Sequence, residues 1–232
     1  MHGLNRSRIE MARKLPFLHA QGWNALLFDL RKHGASEGTR TGFGYFERRD
    51  VRAAVAEARR RASGPVVAWG ISMGAASAVM AAAEDPAVAG VVCDSSYRSL
   101  SDTVHHHMDM VRGLKPWLRI LPARILGEEM LFWVRREGGF DTAEVDVLAA
   151  ARRLQGRPVL FVSNAGDQRM PTDIAFDLKA AAGPLARVLV IPGHSHGNAY
   201  REGQPAYEQA VARLLKELES LGTGGAGVGV PK

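Results

Sequence analysis

The stretch Val66-Val67-Ala68-Trp69-Gly70-Ile71-Ser72-Met73-Gly74-Ala75-Ala76-Ser77-Ala78 leaves the chain little conformational freedom. An apolar run of strand length meets a serine set between two glycines, and an alanine-rich stretch of helical length follows. Gly70-Ile71-Ser72-Met73-Gly74 matches G-x-S-x-G, in which a strand passes into a helix through one sharp turn with the serine strained at its apex. Side chains two residues before or after that serine would collide with neighbouring backbone, so glycine is needed there. The helix that starts at the turn points its free N–H groups at the serine, where an anion is stabilised. The five-residue pattern recurs by chance in long chains. Its weight here comes from the strand before it and the small-residue helix after it.

Strand-length and helical patterns alternate along the rest of the chain. Asn24–Leu30, Pro65–Trp69, Val88–Cys93, Pro158–Val162 and Arg187–Ile191 are short apolar runs. Val51, Ala54, Val55 and Ala58 share one helical face between Glu47 and Ala62, and Val211, Leu214, Leu215, Leu218 and Leu221 share another between about Ala206 and Leu221. Continuous apolar strands separated by helices imply a parallel sheet covered on both faces. Residues 95–155 interrupt this alternation with more chain than a crossover needs. That segment holds Trp117, Leu118, Ile120, Leu121, Leu131, Phe132 and Trp133 and is expected to fold as helices over one end of the sheet. The glycine-rich tail 222–232 has little to bury and is expected to be flexible.

Bulk properties exclude several classes. The chain has 232 residues, enough for one sizeable domain and short for two. No apolar run approaches the roughly 18 residues of a membrane span. The single cysteine, Cys93, permits no internal disulfide and is expected to be buried and inert. The net charge is +6, but the basic residues are dispersed. Arg59-Arg60-Arg61, the densest cluster, stands where a helix should end, which suits the negative pole of its dipole. No stacking aromatics accompany it, so nucleic acid is not an expected partner.

A serine hydroxyl needs a base to act as a nucleophile, and the base needs an orienting acid. Ser163-Asn164-Ala165-Gly166-Asp167 follows one strand-length run, and Pro192-Gly193-His194-Ser195-His196-Gly197 follows the next. Ser72, an acid and a histidine thus occur in the order Ser, Asp, His, each just past a strand's C-terminal end. His105-His106-His107 has the residue type of a metal site. Consecutive helical residues point in different directions, however, so a solvated helix is expected and no metal is assigned.

The chain resembles α/β-hydrolases of the bacterial serine-esterase type, near the monoacylglycerol-lipase and serine-aminopeptidase-like group. The matching stretches are His2-Gly3, Phe28-Asp29-Leu30-Arg31-Lys32-His33-Gly34-Ala35-Ser36-Glu37-Gly38, the Gly70–Gly74 turn, Asp94-Ser95-Ser96, Arg157 through Asp167, and Pro192 through Gly197. The resemblance implies an α/β-hydrolase fold, with 1–94 and 156–221 as its core and 95–155 as a helical lid. It implies a serine hydrolase of carboxylic esters or related acyl bonds, thioesters and peptides included. Ser72 would be the nucleophile, Asp167 the acid and His196 the base, with Asp94 and His194 as competitors for the last two roles. The amides of Met73 and Leu4 would form an oxyanion hole. A small-molecule acyl substrate, no cofactor, a monomer or homodimer, and a cytoplasmic location are the corresponding expectations.

Two departures from the family pattern stand out. Lys32 occupies a position that is glycine in the family's Arg-Gly-His-Gly turn, and His33 is expected to be structural there. In the family a strand precedes the His-Gly pair, whereas here only Met1 precedes His2. That strand would lie between the run ending at Leu30 and the strand ending at Trp69. The expectation is therefore a sheet lacking N-terminal strands, with a slot inside it and Met1 as an internal start. The rival outcome is a catalytically inactive truncated hydrolase or a binding remnant.

Overall fold

Apolar runs without polar alternation form strands only where both faces are covered. In the computed structural model, which describes residues 1–115, 117 and 120–223, four of the five runs do so. The chain opens with two short helices, α1 (Ile9–Ala12) and α2 (Leu15–Ala20), and reaches α3 (Glu47–Arg61) through irregular backbone. Then follow β1 (Val66–Ile71), α4 (Met73–Glu84), β2 (Val88–Asp94), α5 (Leu100–Leu114), α6 (Ala123–Gly138) and α7 (Val147–Arg152). The last third contains β3 (Val159–Asn164), α8 (Thr172–Ala182), β4 (Ala186–Ile191), α9 (Ala199–Glu202) and α10 (Gln204–Thr223).

The strands form one parallel sheet in the order β1-β2-β3-β4. Side chains alternate between two cores. Ala68, Val91, Cys93, Val159 and Phe161 face α3, α4, α7 and α8, whereas Trp69, Val92, Leu160, Val162 and Ile191 face α1 and α10. The alanines of α4 let that helix lie close to the sheet, and every residue from Met73 to Ala83 is buried. Cys93 is buried as expected, and burial pushes its thiol up to about 12. The register pairs Ile71 with Asp94, Asp94 with Val162, and Asn164 with Ile191. The C-terminal ends of all four strands therefore stand in a row.

The fifth run departs from expectation. Residues 24–30 form no strand. A strand needs a hydrogen-bonding neighbour, and β1 does not reach them. A cleft of about 160 Å³ intervenes, with Leu26, Leu27 and Phe28 on one wall and Val66, Val67 and Trp69 on the other. The slot stands between the two runs that the sequence placed on either side of it, but at the edge of the sheet rather than inside it, because only one of those runs is a strand. Met1 covers its end, donating its amine to the Trp69 carbonyl and accepting the Ile71 amide at 3.1 Å.

In segment 95–155, Ser99 caps α5 by accepting the Asp102 amide at 3.0 Å, and Gly139 closes α6 in the left-handed conformation. α5 and α6 pack on each other. α7 buries Val147 and Ala151 in the core it shares with α4 and α8. Trp117, Leu121, Phe132 and Trp133 are exposed, so they are not an interior of the α5–α6 pair. Leu118 and residues 224–232 lie outside the described residues. Gly222 and Thr223, assigned by sequence to the tail, are the last turn of α10.

Candidate active site

Ser72 sits between β1 and α4 with φ 52° and ψ −117°, a left-handed conformation that costs a non-glycine residue about 1–3 kcal/mol. The turn is held on both sides. The Ser72 amide donates to Asp94 O at 2.8 Å, and Ser72 O accepts the Ala76 amide at 3.0 Å. A Cβ on Gly70 would lie 2.2 Å from the Gly74 carbonyl carbon, and one on Gly74 would lie 2.5 Å from His2 O. Both glycines are therefore required by close backbone approach.

The loops after β3 and β4 bring the predicted partners to the serine. Ser72 Oγ lies 2.9 Å from His196 Nε2, and His196 Nδ1 lies 2.7 Å from Asp167 Oδ2. The other Asp167 oxygen accepts the amides of Arg169 at 2.9 Å and Met170 at 3.1 Å. This chain of contacts orients His196 with Nδ1–H toward the carboxylate and Nε2 free to take the serine proton.

The competing residues stand elsewhere. Asp94 accepts Ser95 Oγ and Tyr207 OH, both at 2.9 Å, and makes no hydrogen bond to His196. Burial raises its carboxyl above the ordinary value, against the pull of Lys14, Ser95 and Tyr207. Its link to the site runs through Ser95 Oγ, which accepts the Gly197 amide at 3.3 Å. His194 packs its ring on Gly166, and the ring that contacts Ser72 Oγ is that of His196.

The two amides assigned to an oxyanion hole belong to segments that meet the serine. Met73 N opens α4, and Gly3 packs so close that a Cβ on it would be 3.6 Å from Ser72 Cβ. Among the described residues neither the Met73 nor the Leu4 amide makes a hydrogen bond. Fully buried His2 holds this segment in place. Its Nε2 accepts the Leu30 amide at 2.9 Å, so Nδ1 carries the proton and donates to Gly3 O at 2.7 Å. Desolvation lowers the His2 pKa, in keeping with a neutral ring. Lys32 adopts φ 61°, the conformation glycine would take at no cost, and His33 contacts Arg31 O at 2.7 Å, a turn contact.

Several supporting residues carry no sequence signal. Glu10 accepts the Gly3 amide at 2.8 Å. Glu202 Oε2 accepts the His194 amide at 3.0 Å and Asn164 Nδ2 at 2.8 Å, and Asn164 Nδ2 also donates to Ser195 O. A Cβ on Gly193 would lie 1.8 Å from Glu202, so that glycine makes room for the carboxylate. No motif spacing marks these residues, because each acts across a fold contact. His105, His106 and His107 diverge toward Ser101 O, Gln168 O and Thr103 O. Among the described residues no three metal-ligating side chains cluster.

Comparison with known proteins places this geometry. The profile of the Alpha/beta hydrolase family matches residues 1–219. The uncharacterized protein YqkD of Bacillus subtilis is 24% identical over 224 residues, covering 94% of this chain and 70% of its own length. The uncharacterized protein Rv2307c of Mycobacterium tuberculosis is 27% identical over 208 residues, 88% of this chain and 64% of its own. The chain therefore spans only part of each relative. Among solved structures, the Pyrococcus furiosus esterase Pf2001 superposes with a TM-score of 0.72 at 22% identity, covering 94% of this chain and 81% of that one. A monoacylglycerol lipase from Paleococcus ferrophilus superposes at 0.64 with 15% identity, covering 93% and 91%. These superpositions show a common fold.

Proposed function

Because the chain belongs to the alpha/beta hydrolase family, we propose that it is a serine hydrolase of carboxylic esters, acting through an acyl-enzyme on Ser72. The observation that carries this reading is the unbroken contact from Ser72 Oγ through His196 to Asp167, at 2.9 and 2.7 Å. In this mechanism Ser72 Oγ attacks the acyl carbonyl and passes its proton to His196 Nε2. Asp167 holds the ring in the tautomer that accepts that proton and stabilises the imidazolium that forms. The Met73 and Leu4 amides stabilise the oxyanion, helped by the positive end of α4. His196 then returns the proton to the departing alcohol as its bond to the acyl carbon breaks. Water deprotonated by His196 attacks the acyl-enzyme and regenerates Ser72. Exposed Trp117, Leu121, Phe132 and Trp133 support an apolar acyl group.

A fluorophosphonate probe tests the reading directly. The folded protein should label at Ser72, and Ser72→Ala should remove both the label and the hydrolysis of p-nitrophenyl esters of graded chain length. Well-folded protein that neither labels nor turns over any ester would favour the inactive remnant.

A further inference from the structure

Beside the serine lies a pocket of about 640 Å³ whose wall includes the chain neighbours of three site residues. Asn5 follows Leu4, Ile71 precedes Ser72, and Gly197 follows His196. Its charged lining is one-sided, with four cations, Arg6, Arg13, Lys14 and Arg201, facing one carboxylate, Glu10. That carboxylate is already committed, since Glu10 accepts the Gly3 amide and stands 3.8 Å from Arg6. Among the described residues Arg13, Lys14 and Arg201 form no ion pair.

Lys14 is the telling member. It is only 2% exposed, and its amine touches Met11 Sδ at 3.9 Å and the rings of Tyr200 and Trp69 at 4.9 and 5.7 Å. A buried ammonium without a carboxylate partner is costly. An anion in the pocket would add a partner at contact distance to the longer-range pull of Asp94 and Glu10. Burial lowers the Lys14 pKa against the pull of Asp94, so that anion would also favour the charged amine.

We propose that this pocket receives an anionic substituent, a carboxylate or a phosphate, on the alcohol portion of the ester. The alcohol side is assigned because the pocket borders Gly197, next to the histidine that protonates the leaving group. The assignment rests on the serine-hydrolase reading above. A cleft lined by one sign of charge focuses its field on the substrate and raises local concentration and encounter rate by about tenfold or more.

The test compares kcat/KM, followed by pH-stat, for the butyrate esters of glycerol, glyceric acid, glycerol 3-phosphate and choline. At least one anionic ester should exceed the glycerol ester by about tenfold at low ionic strength, with the choline ester slowest. The glycerate and phosphate arms identify which anion is preferred. The advantage should shrink several-fold between about 20 and about 500 mM salt, as screening shortens the field. In the double variant Arg13→Ser/Arg201→Ser, altered at two exposed positions, the anionic-to-neutral ratio should approach one. Turnover of the glycerol ester with no anionic preference, or a preference that survives the double variant, overturns the inference and leaves the hydrolase reading intact. Failure to turn over any ester, with no fluorophosphonate labelling, removes both.

Discussion

Residues 24–30 and β3 read alike in the sequence, as short apolar runs, yet they end differently. β3 lies between β2 and β4, pairs along its length, and is buried throughout. Residues 24–28 face a cleft across which β1 makes no ladder to them, and Leu26 is 40% exposed. Apolar composition makes a segment suited to a strand, but only a neighbour at about 4.8 Å makes it one. The chemistry follows the same division. Ser72, Asp167 and His196 hang from paired strands, while Leu4 hangs from a segment that belongs to no strand and is held by the Met1 backbone contacts to β1 and by the side chains of His2 and Glu10.

This contrast can be tested from its strongest side down. Ser72→Ala should lower kcat by about 10⁶-fold with the melting temperature nearly unchanged; persistent turnover would remove Ser72 from the mechanism. Asp167→Asn should cost about 10⁴-fold in kcat through loss of the histidine tautomer. Asp94→Asn should retain most of the turnover, and equal losses in the two variants would return Asp94 to contention as the acid. Gly74→Ala should press on Met1 and His2, displace the Leu4 amide, and cost about a hundredfold in kcat. A smaller loss would mean that the loosely held side of the site gives way without consequence.

Smaller effects probe stability. His2→Ala leaves the buried Leu30 amide without its acceptor and should destabilise by about 1–3 kcal/mol in urea unfolding. In the folded protein the His2 pKa is lowered from 6.5, so the unfolded chain binds more protons. The stability this ring contributes is complete above pH 6.5 and is lost as pH falls below it. Denaturation midpoints measured on either side of pH 6.5 should therefore diverge in the native chain and differ less in the His2 variant. Lys32→Gly should add about 1 kcal/mol by relieving the left-handed conformation. An unchanged midpoint would show that strain at Lys32 is offset elsewhere.

Much of the site could be read early because its constraints are local. A glycine on each side of Ser72 reports a turn with no room for side chains. Asp167 and His196 each follow a strand within a few residues, so locating the strands located them as well. Glu202 and Glu10 could not be found this way. Glu202 reaches the His194 amide from α9, and Glu10 reaches Gly3 from α1, distances that no spacing along the chain encodes. The aromatic residues 132 and 133 show the opposite limit, since apolar character did not reveal that they would face outward.

The chain's own order of apolar runs, helices and turn residues determined an α/β architecture, a strained serine at the end of one strand, and an aspartate and a histidine just past the last two strands. Those are short-range consequences of backbone sterics and periodicity. Only the tertiary structure put Asp167 rather than Asp94 in hydrogen-bond contact with His196, separated Leu26–Phe28 from β1, and gathered Arg13, Lys14 and Arg201 around a pocket beside Ser72. Each of these depends on hydrogen bonds and fields that act across a few ångströms of space between residues far apart in the chain.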